Sequence, residues 1–102
     1  MNIHRHLLAA TAALLAVTGA ATAQTLKAAD VHPAGYPTVA AVESMGKKLE
    51  AATNGRIKVQ MFPGGVLGGE KEMIEQTQVG AIHLLRTSLG PIGPVVPEVN
   101  VF

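Results

Sequence analysis

Apolar and polar residues recur along this chain with two different periods. From Arg56 to Met61 the order Arg-Ile-Lys-Val-Gln-Met alternates with period two, which predicts a strand with one buried face and one wet face. Central strands of a parallel sheet are covered on both faces, so this alternation predicts an edge position. Upstream, Val39, Val42, Met45, Leu49 and Ala52 recur at spacings of three and four, with Glu43, Lys47, Lys48 and Glu50 on the other side. That is an amphipathic helix, with Pro37 suited to its first turn and Asn54-Gly55 to a left-handed cap. The short apolar run Leu26 to Val31 is closed by His32-Pro33, and a residue before proline favours extended backbone, so a first strand is predicted there. Glu70 to Val79 predicts a second helix, with three acids where the macrodipole favours them and Gly80 closing it. Ala81 to Thr87 predicts a further strand, and Val99 to Phe102 the start of another.

Strands alternating with helices over short links imply parallel pairing, hence the α/β class: a parallel sheet with flanking helices. The 102 residues fit one domain and leave no room for two ordinary cores. An open three-stranded sheet of this size has little core and ends here on an apolar strand, so the chain reads as truncated.

The apolar fraction of 48% misleads, because the first quarter of the chain inflates it. Met1 to His6 carries the one firm side-chain charge of that region, Arg5. An uncharged run from Leu7 to Val17 follows, then small residues ending in Ala21-Thr22-Ala23. This is the layout of a signal peptide over residues 1–23, cut between Ala23 and Gln24. An N-terminal membrane anchor is the alternative, though Ala, Thr and Gly are weakly apolar for about 30 Å of hydrocarbon. Residues 24–102 then carry seven bases against seven acids. Such a neutral piece lacks the cation surplus of a nucleic-acid binder, so nucleic acid is not expected as a partner. Export also argues against ATP and nicotinamide chemistry, and no cofactor is implied. Cysteine is absent, which excludes disulfides, thiolate metal sites and thiol nucleophiles.

The loop Gly64-Gly65-Val66-Leu67-Gly68-Gly69 before Glu70-Lys71 invites a phosphate reading, but its spacing matches neither a P-loop nor a dinucleotide fingerprint. After processing, His32 and His83 are the only histidines, and no third metal ligand is placed beside them by spacing. His83, inside an apolar strand, reads as a satisfied core histidine. His32 ends a strand at the carboxyl edge, where open α/β sheets bind ligands, so ligand contact and loop packing both stay open. Arg86 is the most informative position, because a guanidinium in an apolar strand costs several kcal/mol to bury unpaired. Its partner is either a structural carboxylate, Glu70 or Asp30, or the carboxylate of a bound solute. Ser88 and Thr87 follow as hydroxyl donors or as a capped turn. Neither sits in a nucleophile elbow, and no catalytic residue is assigned.

Four segments occur in order: Asn54-Gly55-Arg56-Ile57-Lys58-Val59 leading to Phe62-Pro63, Leu67 to Met73, Gln78 to Ile82, and Gly93 to Glu98. In these the chain resembles the N-terminal part of the solute-binding subunit (DctP family) of tripartite ATP-independent periplasmic (TRAP) transporters. The resemblance implies a class II periplasmic binding protein: two α/β lobes closing on an organic acid and delivering it to membrane subunits, with no enzymatic activity. It implies first-lobe contacts at His32, Glu70, Arg86 and Ser88, while the arginine that pairs with the substrate carboxylate belongs to the later lobe. Two positions depart from the family pattern, His83 after Gly-Ala and Arg86 in place of an apolar residue. The added cation points toward a doubly charged or sugar-derived acid. In this reading Arg86 supplies charge, His32 and Ser88 hydrogen bonds, and Glu70 an acceptor for solute hydroxyls. The rival class is an exported hydrolase whose catalytic residues lie downstream.

Overall fold

The computed structural model describes residues 22–101. The signal peptide expected over residues 1–23 therefore lies, apart from its last two residues, outside the described residues. Three parallel strands form one sheet in the order β2-β1-β3: β1 spans Gln24–Ala29, β2 Ile57–Phe62 and β3 Leu84–Leu85. Helix α1 (Pro37–Ala52) connects β1 to β2, and α2 (Glu70–Gln78) connects β2 to β3. Two short helical segments follow, α3 (Leu89–Ile92) and a 3₁₀ helix over Pro97–Val101. Among the described residues no helix is long and apolar enough to cross a membrane.

The order explains the burial. β1 is central, and its consecutive residues Ala28 and Ala29 are both buried, one toward each helical layer. Ala29 packs with Met73 of α2 and with Ile82, flanked by Val31, Leu67 and Leu85. On the other layer α1 lies so close to β2 that a Cβ on Gly46 would stand 2.8 Å from the Cβ of Val59. As its alternation predicts, β2 lies at an edge of the described sheet, with Lys58 and Gln60 exposed and Ile57, Val59 and Met61 partly buried.

The end of α1 is stitched to the start of β2 through Thr53. Its hydroxyl donates to the Leu49 carbonyl at 2.7 Å and accepts the Ile57 N–H at 3.0 Å. Asn54 and Gly55 then turn the chain with φ of 52° and 78°, the left-handed conformation that asparagine and glycine tolerate best.

Three expectations need correction. The strand expected over Ala81 to Thr87 shrinks to Leu84–Leu85. Its start stays tied to α2, because the N–H groups of Ala81 and Ile82 both reach the Gln76 carbonyl. At His83 the side chain takes over from the backbone: Nδ1 accepts the Lys27 N–H at 2.9 Å while the His83 N–H donates to the Lys27 carbonyl at 3.0 Å. His83 is thus satisfied, but it is exposed rather than a core residue. The strand expected from Val99 is instead the 3₁₀ turn beginning at Pro97, whose fixed φ suits a helical first position; Phe102 lies outside the described residues.

The approach of α1 to β2 yields a stability test. Alanine favours a helix over glycine by about 1 kcal/mol, whereas forcing a methyl into a filled contact costs about 1–3 kcal/mol. Gly46→Ala in the full-length protein should therefore lower the melting temperature. A rise would show that α1 can lift from β2 without cost.

Candidate functional site

Three chain segments meet at the carboxyl edge of the sheet. β1 ends at Ala29 and delivers Asp30 and His32, β3 ends at Leu85 and delivers Arg86, and Glu70 opens α2 in the first turn that favours an acid. The glycine turn after β2 holds the first of these in place. Gly64 N–H donates to the His32 carbonyl at 2.7 Å and Gly65 N–H to the Asp30 carbonyl at 3.1 Å. Those N–H groups are spent on the β1–α1 loop and do not line up for an anion.

Asp30 is fully buried, and its carboxylate organises the cluster. Oδ1 accepts the His32 backbone N–H at 3.0 Å, an Asx-type turn, and lies 2.8 Å from His32 Nδ1. Oδ2 accepts the Thr38 hydroxyl at 2.6 Å. Tyr36 stacks on the other side of the imidazole, with ring centroids 3.9 Å apart and planes 14° from parallel. Arg86 Nη1 stands 3.9 Å from both Asp30 Oδ1 and Glu70 Oε1 and 3.3 Å from His32 Nδ1. Glu70 Oε1 accepts both the backbone N–H and the hydroxyl of Ser88 at 2.9 Å.

The four candidate positions, His32, Glu70, Arg86 and Ser88, thus share one cluster. Two of the open alternatives gain content. Both structural carboxylates considered for Arg86, Asp30 and Glu70, flank it. Ser88 occupies the N-cap position of α3 without a side-chain cap hydrogen bond, and its hydroxyl donates to Glu70 instead. Thr87 points elsewhere: it lines an apolar pocket with Ile74, Leu85, Ile92 and Val95, and its buried hydroxyl finds no partner among the described residues. Thr87 and Ser88 therefore separate to two sides, as neighbours in extended chain do.

Sequence reasoning named Asp30 only as a possible salt-bridge partner and missed Thr38 and Tyr36. The available signal was an acid closing an apolar strand run, which is costly unless hydrogen-bonded. Among the described residues no three His, Cys, Asp or Glu side chains converge as a metal site would require.

Burial pushes the Asp30 carboxyl upward, but hydrogen bonds from Thr38, from the His32 backbone and from the His32 ring, together with the charge of that ring when protonated, outweigh it. The net effect holds the group below its ordinary value of 3.8. A carboxyl lowered in the folded state stabilises fully above its unfolded pKa, and that stabilisation is lost as pH falls through the folded value. Wild-type stability in urea titrations should therefore decline below about pH 4 more steeply than that of Asp30→Asn. Equal slopes would show that Asp30 is not the ionised centre of this cluster.

Similarity to known proteins bears on this arrangement. The profile of DctP, bacterial extracellular solute-binding protein family 7, matches residues 28–102. A solute-binding protein of Chromohalobacter salexigens is 38% identical over 90 residues, 86% of this chain and 27% of that protein. The structure resembles a TRAP periplasmic solute-binding protein of Pseudomonas putida F1 with bound D-glucuronate, at 63% identity and a TM-score of 0.74. It also resembles one of Citrobacter koseri with bound D-glucuronate, at 54% identity and a TM-score of 0.74. In both cases 78% of this chain is covered and 26% of the other. The chain thus spans about a quarter of the length of the relatives it matches.

Proposed function

This chain belongs to family 7 of the bacterial extracellular solute-binding proteins, DctP, and we propose that the whole protein captures a small organic acid in the periplasm and delivers it to the membrane subunits of a TRAP transporter. The observation that carries this reading is the cluster of His32, Glu70, Arg86 and Ser88 around buried Asp30, at the sheet edge where open α/β folds bind ligands. D-glucuronate in the two similar structures supports a sugar acid as the solute. A dicarboxylate, the other acid considered from the sequence, is the comparison ligand.

The chemistry follows from what the cluster leaves unspent. All three close contacts of Arg86 use Nη1, and its side chain is 35% exposed, so the rest of the guanidinium can meet a carboxylate. Glu70 Oε2 takes no hydrogen bond among the described residues and can accept from a solute hydroxyl. Ser88 can accept at its oxygen while it donates to Glu70. Such a site is suited to binding rather than turnover: Asp30 orients His32 as a potential base, but among the described residues no hydroxyl is hydrogen-bonded to His32 as a nucleophile would be. Binding across two lobes would shift the population from open to closed, which is how a soluble carrier signals its loaded state. Export through a signal peptide cleaved between Ala23 and Gln24 fits the same reading.

Two measurements test it in the full-length protein. D-glucuronate should raise the melting temperature saturably, and 4-nitrophenyl β-D-glucuronide should stay intact; release of 4-nitrophenol from it would support the hydrolase instead. Arg86→Ala should weaken D-glucuronate binding by calorimetry at least about tenfold, equivalent to about 1.4 kcal/mol. Its effect on stability should stay near about 1 kcal/mol, as for partly exposed ion pairs. Unchanged affinity with a large loss of stability would make Arg86 a structural partner of Asp30 and Glu70 only.

A further inference from the structure

The His32 ring contacts cannot all be hydrogen bonds at once. Nδ1 lies 2.8 Å from Asp30 Oδ1 and 3.3 Å from Arg86 Nη1. A guanidinium only donates and an ionised carboxylate only accepts, so Nδ1 must either hold a proton for Asp30 or offer a lone pair to Arg86. The shorter distance and the burial of Asp30 decide for the first. Were Nδ1 unprotonated, a lone pair and a buried carboxylate oxygen would face each other at 2.8 Å. The proton therefore sits on Nδ1, and the neutral ring carries its lone pair on Nε2. That atom takes no hydrogen bond among the described residues, and the side chain is 26% exposed.

We infer that Asp30 is a specificity-setting positioning residue: by fixing His32 as the Nδ1–H tautomer it leaves Nε2 as a free acceptor on a ring in contact with the Arg86 guanidinium, and so selects hydroxylated acids over plain dicarboxylates. The inference rests on the binding function proposed above and deepens it. Arg86 Nη1 lies 3.3 Å from the His32 ring, at Nδ1, and 3.9 Å from Glu70 Oε1, so one cluster holds a cation, an imidazole whose free Nε2 can accept and a carboxylate that can accept. With Asp30 and Glu70 ionised against the single cation, the cluster carries a net charge of −1. A solute can place one carboxylate on Arg86, but its neighbouring groups must donate. Hydroxyls do so, whereas a second carboxylate would meet two acceptors. Tyr36 stacked on the ring, the Asx turn and the Thr38 hydroxyl on Oδ2 keep this orientation from rotating away.

His83 provides an internal reference, because its Nδ1 accepts a backbone N–H and its proton must sit on Nε2, the opposite tautomer. The test uses the full-length protein labelled with ¹⁵N-histidine, observed through long-range ¹H–¹⁵N ring correlations at pH 8, above the ordinary imidazole pKa of about 6.5. His32, assigned by its loss in His32→Gln, should show the Nδ1–H pattern without any ligand, and His83 the Nε2–H pattern. In Asp30→Asn the amide can donate, and the His32 pattern should move toward Nε2–H. Calorimetry with D-glucuronate and with adipate, an unhydroxylated dicarboxylate, should favour D-glucuronate at least tenfold in the wild type. Asp30→Asn should narrow that ratio. An Nε2–H pattern for wild-type His32 overturns the inference whether or not the variant folds. A preference unchanged in Asp30→Asn, or equal wild-type affinities, overturns it while leaving the binding function intact. Failure of the wild type to bind either acid overturns both.

Discussion

A carboxylate with no exposed surface has to be supplied with donors by its own protein, and Asp30 imposes that requirement on everything around it. One donor comes from the Thr38 hydroxyl in the first turn of α1 and two come from His32, through backbone and ring. These bonds fix where the β1–α1 loop runs, how α1 enters and which way the imidazole faces. Arg86 then arrives directly after β3 as a cation at 3.9 Å, and Glu70 meets it from α2. One buried charge thereby couples both helices and the flanking strand β3 at one edge of the sheet.

The sheet makes this possible by being narrow at the backbone level and small at its centre. Alanines at positions 28 and 29 let helices approach β1 from both faces, and Gly46 lets α1 settle onto Val59. Close layers bring the ends of β1 and β3 and the start of α2 within side-chain reach of one another. The ladder itself is partly built from side chains. His83 Nδ1 replaces a carbonyl for Lys27, and beyond β3 the Arg86 N–H still donates to the Ala29 carbonyl at 3.1 Å. That last bond sets the depth at which the guanidinium emerges.

Most of the architecture was legible from periodicity, and the failures have one cause. The two long helices and the strands β1 and β2 follow from patterns of three, four and two, and their limits fall within a residue or two of those read from the sequence. Ala81 to Thr87 and Val99 to Phe102 also read as strands. Extended pairing needs a partner in register, however, and local pattern carries no information on that. At Ala81 and Ile82 the end of α2 competes for the N–H groups, and at Pro97 a 3₁₀ turn satisfies the backbone locally. The cluster was half legible. Polar residues at strand ends pointed to His32, Arg86 and Ser88, while Glu70 was reached as a possible partner for Arg86 and, as a ligand contact, through the family resemblance. Asp30 was visible only as a possible ion-pair partner, because its importance comes from total burial, which the sequence does not print. Tyr36 was invisible for a similar reason, since its stacking depends on the turn at Pro33 rather than on any spacing.

The same accounting shows what a cluster so fully bonded within itself keeps available for the solute proposed above. Ser88 has spent its proton, Glu70 Oε1 is saturated, and Asp30 faces only the protein. What is left is the outer part of one guanidinium, one imidazole nitrogen and one carboxylate oxygen. The imidazole and the Glu70 carboxylate are each held by a neighbour that would itself lose a hydrogen bond if the group swung away, and the guanidinium is held by the two carboxylates 3.9 Å from it. Ordering long polar side chains at a binding surface costs about 0.5–1.5 kcal/mol apiece, and here folding has already met that cost. Under the proposed function, the affinity this cluster would add comes less from the number of contacts than from their prior arrangement. One cation clustered with two free acceptors would, in that reading, specify a pattern that few small acids match.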